Sequence, residues 1–154
     1  MLEPYNILFY KGDSVIGRVI RVFSKPYSHC AIILDQFHTL ETTWNNPSVI
    51  RHFAYRYQDY DVYKLNIRLN NYQKQLITQY ITEHISEKYD FLYLITRGLH
   101  LLFGTKIINS KNKLTCDELI YEAFKIIGIR LIENDEMLTP SSLAKSKYLE
   151  RVYV

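Results

Sequence analysis

A mixed α+β fold with an antiparallel sheet is the class this sequence predicts, and two observations predict it. Short β-rich runs separated by turn residues fill most of the first 65 positions. After Asn70 the apolar residues recur at helical spacing, and one further strand closes the chain. The 154 residues are enough for one domain spanning 1–154, and 47% hydrophobic against 23% charged residues is ordinary for a globular chain with a real core. No linker, repeat or low-complexity segment divides it.

Residues 6–10 form a short apolar run ending at Lys11-Gly12-Asp13, a strand followed by a turn. Val15, Ile16, Val19, Ile20, Val22 and Phe23 then recur at helical spacing, with Asp13 or Ser14 as cap and Pro26 beyond the end. Residues 28–34 and 38–44 are β-rich, and Asp35-Gln36-Phe37 between them suits a hairpin loop. Residues 48–51 and 60–65 read as further strands. Residues 71–87 predict an amphipathic helix with Leu76, Ile77, Tyr80, Ile81 and Ile85 on one face. Residues 91–103 predict a second, more buried helix ending at Gly104, and residues 114–127 a third, stopped by Gly128. A short helix from Leu143 follows Pro140, and residues 149–154 form a last strand.

The net charge of +3 and the lack of any basic run of five argue against nucleic acid, leaving room only for a mild preference for anionic surfaces. The fourteen tyrosines accompany abundant Asn, Lys and Ile, the mark of low-GC codon usage. Cys30 and Cys116 make no disulfide framework, although counting leaves a bridge between them open. Glu3 and Pro4 stand where a signal peptide needs basic and then apolar residues, so the expected location is cytoplasmic when synthesised. The longest apolar stretch, 91–103, is interrupted by Thr96, Arg97 and His100, and no transmembrane segment is expected.

Two positions carry the strongest chemical signal. Thr115 with Glu118 three residues later is a capping box, which puts Cys116 at the first helical position. Unpaired backbone N–H groups and the positive end of the helix dipole stabilise a thiolate there; an inert buried cysteine is the plainer alternative. His29 opens a β-rich run in which alternation puts His29, Ala31 and Ile33 on one face and Cys30 and Ile32 on the other. Glu41, in the next strand, shares the parity of His29, so a hairpin makes them near neighbours on one face. A carboxylate there would orient the imidazole and stabilise its protonated form, as nucleophilic cysteine chemistry requires.

These residues carry a family resemblance covering nearly the whole chain. Lys11-Gly12-Asp13, then Tyr27-Ser28-His29-Cys30-Ala31-Ile32-Ile33, then Leu40-Glu41-Thr42 resembles the first half of the circularly permuted NlpC-type papain-like proteins, the YiiX-like and YaeF-like group. Lys88-Tyr89-Asp90-Phe91 resembles their Tyr-Asp-Phe segment. The helix from Cys116 to Phe124, with Gly128 after it, resembles their Cys-Ser-Glu-Leu-Val helix. Leu138-Thr139-Pro140-Ser141-Ser142-Leu143-Ala144 resembles their Thr-Pro-x-x-Leu segment. His29 precedes Cys116, as permutation requires. The resemblance implies a permuted papain-like (NlpC-type) α+β fold with Cys116 as nucleophile, His29 as base and Glu41 as the orienting third group. One departure is Asp117, an acid beside the thiol where the family has a small polar residue; unless it points to solvent it opposes thiolate formation.

Tyr27 and Tyr89 are candidates for lining the cleft or donating to an oxyanion, with the backbone N–H of Cys116 as the default donor. His38 is a rival third member whose place at a loop end favours exposure. His52, His84 and His100 form no metal-ligand spacing, so no metal is expected; nor is any cofactor, since Gly-rich phosphate loops are absent. The implied activity is a thiol hydrolase acting on amide or peptide bonds, with cell-wall peptides or other peptidoglycan fragments as substrates. Acyl transfer or deacylation of lipid amides or esters is the alternative within the same chemistry. A non-catalytic binding or virion-associated module is the alternative outside it, with Asp117 as its support.

Overall fold

The structure is a computed structural model that describes residues 2–12, 15–43, 46–54, 59–110, 112–133 and 137–153. The elements run β1 (Ile7–Tyr10), α1 (Val15–Phe23), β2 (His29–Ile33), β3 (His38–Thr43), β4 (Asn46–His52), β5 (Tyr60–Leu65), α2 (Asn71–His84), β6 (Lys88–Tyr89), α3 (Phe91–Phe103), β7 (Lys113–Leu114), α4 (Cys116–Lys125), α5 (Pro140–Ala144) and β8 (Leu149–Val152). Six strands form one sheet in the order β4-β3-β2-β1-β5-β8, every neighbouring pair antiparallel. The α+β class with an antiparallel sheet is thus observed. The expected caps Asp13 and Ser14, Trp44 at the end of the third expected strand and the terminal Val154 lie outside the described residues.

Strand alternation builds two cores. The register Phe9↔Cys30 and Ile32↔Leu40 gathers those four side chains on the face covered by α4, where Leu119, Ile120, Ala123 and Phe124 join them. The register Leu8↔Ala31, with Ile33 and Val62, fills the opposite face. Each fully buried Leu119, Ile120 or Phe124 contributes about 1.5–3 kcal/mol by leaving water. The central β1 is covered on both faces, which is why Ile7, Leu8 and Phe9 read as a continuous apolar run without alternation.

The short helix expected from Leu143 starts instead at Pro140, with Thr139 as its cap, and the helix expected from residue 114 starts at Cys116. Three larger differences from the sequence reading have local causes. The helix expected over 71–87 ends at His84, because Ser86 takes a positive φ of 75° and the backbone of β4 claims the next residues: Ser86 N–H donates to Ser48 O, and Ser48 N–H to Glu87 O. The second difference is a separate parallel ribbon of β6 and β7, Lys88↔Lys113 and Tyr89↔Leu114. Strands of two residues are too short to show alternation. Third, α3 is not the more buried helix expected: only Leu94, Thr96 and Arg97 are buried, while Leu102 is 64% and Phe103 73% exposed.

Candidate active site

The capping box at α4 forms as its spacing predicts. The Thr115 N–H and hydroxyl both donate to Glu118 Oε2, each at 2.9 Å, and Asn109 Nδ2 donates to Glu118 Oε1 at 2.7 Å. Cys116 is the first residue of α4, buried, at the helix end whose leading N–H groups have no partner within the helix. The helix is held in place from below by Leu119, Ile120, Ala123 and Phe124.

His29 opens β2, and its Nε2–H donates to Glu41 Oε2 at 2.7 Å. The β2–β3 register, Ile32↔Leu40 and Ile33↔Thr39, gives Glu41 and His29 the same parity, as the sequence implied. Glu41 is buried, and Arg51 Nε stands 3.9 Å from its other oxygen. With Nε2 occupied, Nδ1 is the nitrogen left to face Cys116, to which His29 is also hydrogen-bonded.

The electrostatics favour a thiolate–imidazolium pair. A hydrogen bond from Cys30 is the largest influence on Cys116; burial opposes it, and the charge and hydrogen bond of His29 reinforce it, bringing the thiol down to about 5. Burial alone would lower the His29 pKa, but the charge of Cys116 and hydrogen bonds to Cys116 and Glu41 override it and lift the imidazole to about 10. Cys30 moves the other way: burial raises it well above its ordinary value, and its hydrogen bond to Cys116 raises it further.

Cys30 requires a correction. Alternation puts it on the face opposite His29, where it is expected to be buried, reduced and without a chemical role; it is on that face and buried, but the face also holds Cys116, to whose sulfur it donates. The β1–β2 register places Cys30 under α4, whereas His29, at the strand's first position, reaches the same sulfur with its ring; opposite parity does not separate the two. Both thiols are buried and free, with no disulfide between them.

Asp117 is also placed differently from either expectation. It neither faces solvent nor stands alone as a negative charge beside the thiol. It is fully buried, and Arg97 Nη1 of α3 donates to its Oδ2 at 2.7 Å and to Leu138 O at 2.6 Å. The guanidinium pairs with the acid next to Cys116 and joins α3 to α4, although the charge of Asp117 still raises the Cys116 thiol. The segment from Leu138 to Ala144 braces the other half as well. Ser141 Oγ accepts the Tyr27 N–H at 3.0 Å, pinning the chain two residues before His29, and Ser141 N–H donates to Ser24 Oγ at 3.1 Å.

The remaining candidates separate. Tyr89, on β6, lies beside the site: burial first, then the negative charges of Cys116 and Asp117, push its hydroxyl well above the usual value. Tyr27 turns its hydroxyl to another partner. Its hydroxyl donates to Asp61 at 2.6 Å, in a cluster with Tyr63, Lys11 and Arg151. His38 is half-exposed and paired with Asp35 at 2.9 Å, so it is not the group behind His29. Sequence reasoning missed Arg97, Arg51 and the bond from Cys30. A lone cation in an otherwise apolar helix was the available signal for Arg97, since such a charge needs a partner when buried.

No protein-family model and no curated protein matches the chain. A solved structure does: the crystal structure of the metalloprotein yiiX from Escherichia coli O157:H7, DUF1105. The two share 15% identity over 98% of this chain and 96% of that one, with a TM-score of 0.72. The likeness shows that this chain shares that protein's fold. Among the described residues no group of three or more His, Cys, Asp and Glu is placed to hold a metal ion, and Glu41 already accepts from His29 Nε2.

Proposed function

We propose that this chain is a thiol hydrolase of the permuted papain-like, NlpC-type architecture, acting on amide bonds through Cys116, His29 and Glu41. The observation that carries the reading is one buried cluster in which a helix-start thiol is lowered to about 5 beside an imidazole lifted to about 10 and bonded to a carboxylate. The Cys116 thiolate attacks the carbonyl carbon, and N–H groups of the first turn of α4 stabilise the oxyanion. The His29 imidazolium gives its proton to the leaving amine, which departs as the acyl-enzyme forms. Neutral His29 then takes a proton from water, whose hydroxide cleaves the thioester and regenerates the thiolate. Glu41 holds the ring in the orientation that makes both transfers possible.

Peptides, including cell-wall fragments, are the first substrate class. Lipid amides or esters are the second, favoured by the exposed apolar residues of α3, which begins two residues after Tyr89. The binding-module alternative keeps part of its support: Asp117 is paired with Arg97, but its charge still works against the Cys116 thiolate.

The test is the pH dependence of Cys116 alkylation by iodoacetamide. The expected rate rises with a midpoint near 5. A midpoint near that of free cysteine, about 8.5, overturns the proposal. His29→Ala should move the midpoint up strongly and Glu41→Gln by less, with the fold retained. A Glu41→Gln profile identical to wild type reduces the site to a Cys116–His29 dyad.

A further inference from the structure

We propose that the outer face of α3 docks on an anionic lipid surface. Phe91, Leu92, Ile95, Leu99, Leu102 and Phe103 are between 41% and 73% exposed. At 100° per residue they share an arc of roughly 120°, with no polar side chain among them. A ridge of this size is not the scattered apolar exposure of an ordinary surface. With thirteen residues, α3 is too short to cross a bilayer, and no helix among the described residues is long and apolar enough to do so. Its geometry suits lying in the plane of an interface, with the ridge among the acyl chains.

Charge selects the occupant. α1 packs against α3, and neither residues 15–26 nor residues 91–113 contain a single Asp or Glu. Arg18, Arg21 and Lys25 of that stretch line a cleft of about 590 Å³ with Lys11, which also pairs with Asp61; Val22 beside them is 67% exposed. Lys106, three residues after the end of α3, is exposed as well. An apolar ridge on a helix that packs against this basic α1 matches anionic headgroups around an acyl layer. A second copy of the chain would bring the same positive borders together, which like-charge repulsion opposes.

The docking does not depend on chemistry at Cys116, and its test reads binding alone. The intact chain is sedimented with phosphatidylcholine vesicles with and without phosphatidylserine. The expected result is strong binding only to the anionic vesicles, lost at high salt. Arg18→Ala with Arg21→Ala should weaken it roughly thirtyfold, and Leu102→Ser with Phe103→Ser by about tenfold or more. Both variants should keep the wild-type melting curve and Cys116 alkylation rate. Equal sedimentation with both vesicle types, or none, overturns the proposal on the wild-type chain alone, even if a variant fails to fold. Unchanged binding by the folded Leu102/Phe103 variant also overturns it, as does a lipid-free dimer that those two substitutions dissolve.

Discussion

Two helices of similar length use their apolar residues in opposite ways. α4 buries seven of its ten residues, including both acids of its first turn; α3 buries three of thirteen, and most of its large apolar side chains face outward. The difference decides where chemistry can be held. α4 is fixed against the sheet on the face that carries Cys30, so its first turn is a rigid mount for a thiol. α3 adds one buried charge, Arg97, to that mount and leaves the rest of its surface for contact with something else. Composition alone would rank them the other way, since α3 is the more apolar of the two; what decides is which face meets the sheet.

The largest expected effect lies where the helices meet. Arg97→Ala leaves the Asp117 carboxylate buried without its counter-charge, and breaking such a pair costs about 3–5 kcal/mol. The same uncompensated charge opposes ionisation of the neighbouring thiol, so alkylation of any folded protein should need a higher pH. Urea unfolding together with the alkylation profile measures both. A loss below about 1 kcal/mol with an unchanged profile would mean that the pair does not couple α3 to α4. Asp117→Ser is the instructive partner variant. Removing the acid should speed alkylation at low pH, since its charge raises the Cys116 thiol; the ion pair adds a second expectation, destabilisation, because Arg97 then loses its carboxylate.

A smaller effect tests the contrast directly. Leu119→Ala on α4 should cost about 2–5 kcal/mol, since its side chain is enclosed by the core. Leu99→Ala on α3 should change stability by no more than about 0.5 kcal/mol, its side chain being 41% exposed. Similar losses from both, measured by urea unfolding, would mean that the α3 ridge is covered in the protein as it exists in solution.

The features that were legible in the sequence depend on neighbours a few residues apart. The Thr115–Glu118 box fixed the start of α4, and shared parity across a short hairpin placed Glu41 beside His29. The features that were not legible depend on faces and distant partners. An apolar helix such as α3 does not reveal from its composition which side is covered. Arg97 and Asp117 lie twenty residues apart, and nothing local joins them. Cys30 is on the face alternation gives it; what alternation does not show is that His29, at the strand end, reaches across to the sulfur on that face.

The smallest effect concerns what makes the start of α4 special, the helix end or the sheet beneath it. Cys116 and Cys30 are both buried in one cluster, yet burial prevails at Cys30 and is overcome at Cys116. The bond from Cys30 is the largest influence lowering Cys116, so Cys30→Ala should raise the Cys116 pKa and move the alkylation midpoint up from about 5 while the fold survives. The stability cost should be on the order of 1 kcal/mol. The pH dependence has a definite sign. Cys116 is lowered from 9.0 to about 5, so its contribution to stability is fully present above about 9 and disappears as pH falls through about 5. His29 is raised from 6.5 to about 10, so its contribution is fully present below about 6.5 and disappears as pH rises through about 10. Cys30→Ala should therefore make the acid side of the stability profile begin to fall at higher pH. The alkaline side, set by His29, should move much less. If neither the alkylation midpoint nor the acid limb shifts, the helix end and His29 suffice to hold the thiolate, and Cys30 is only a packing residue of the core.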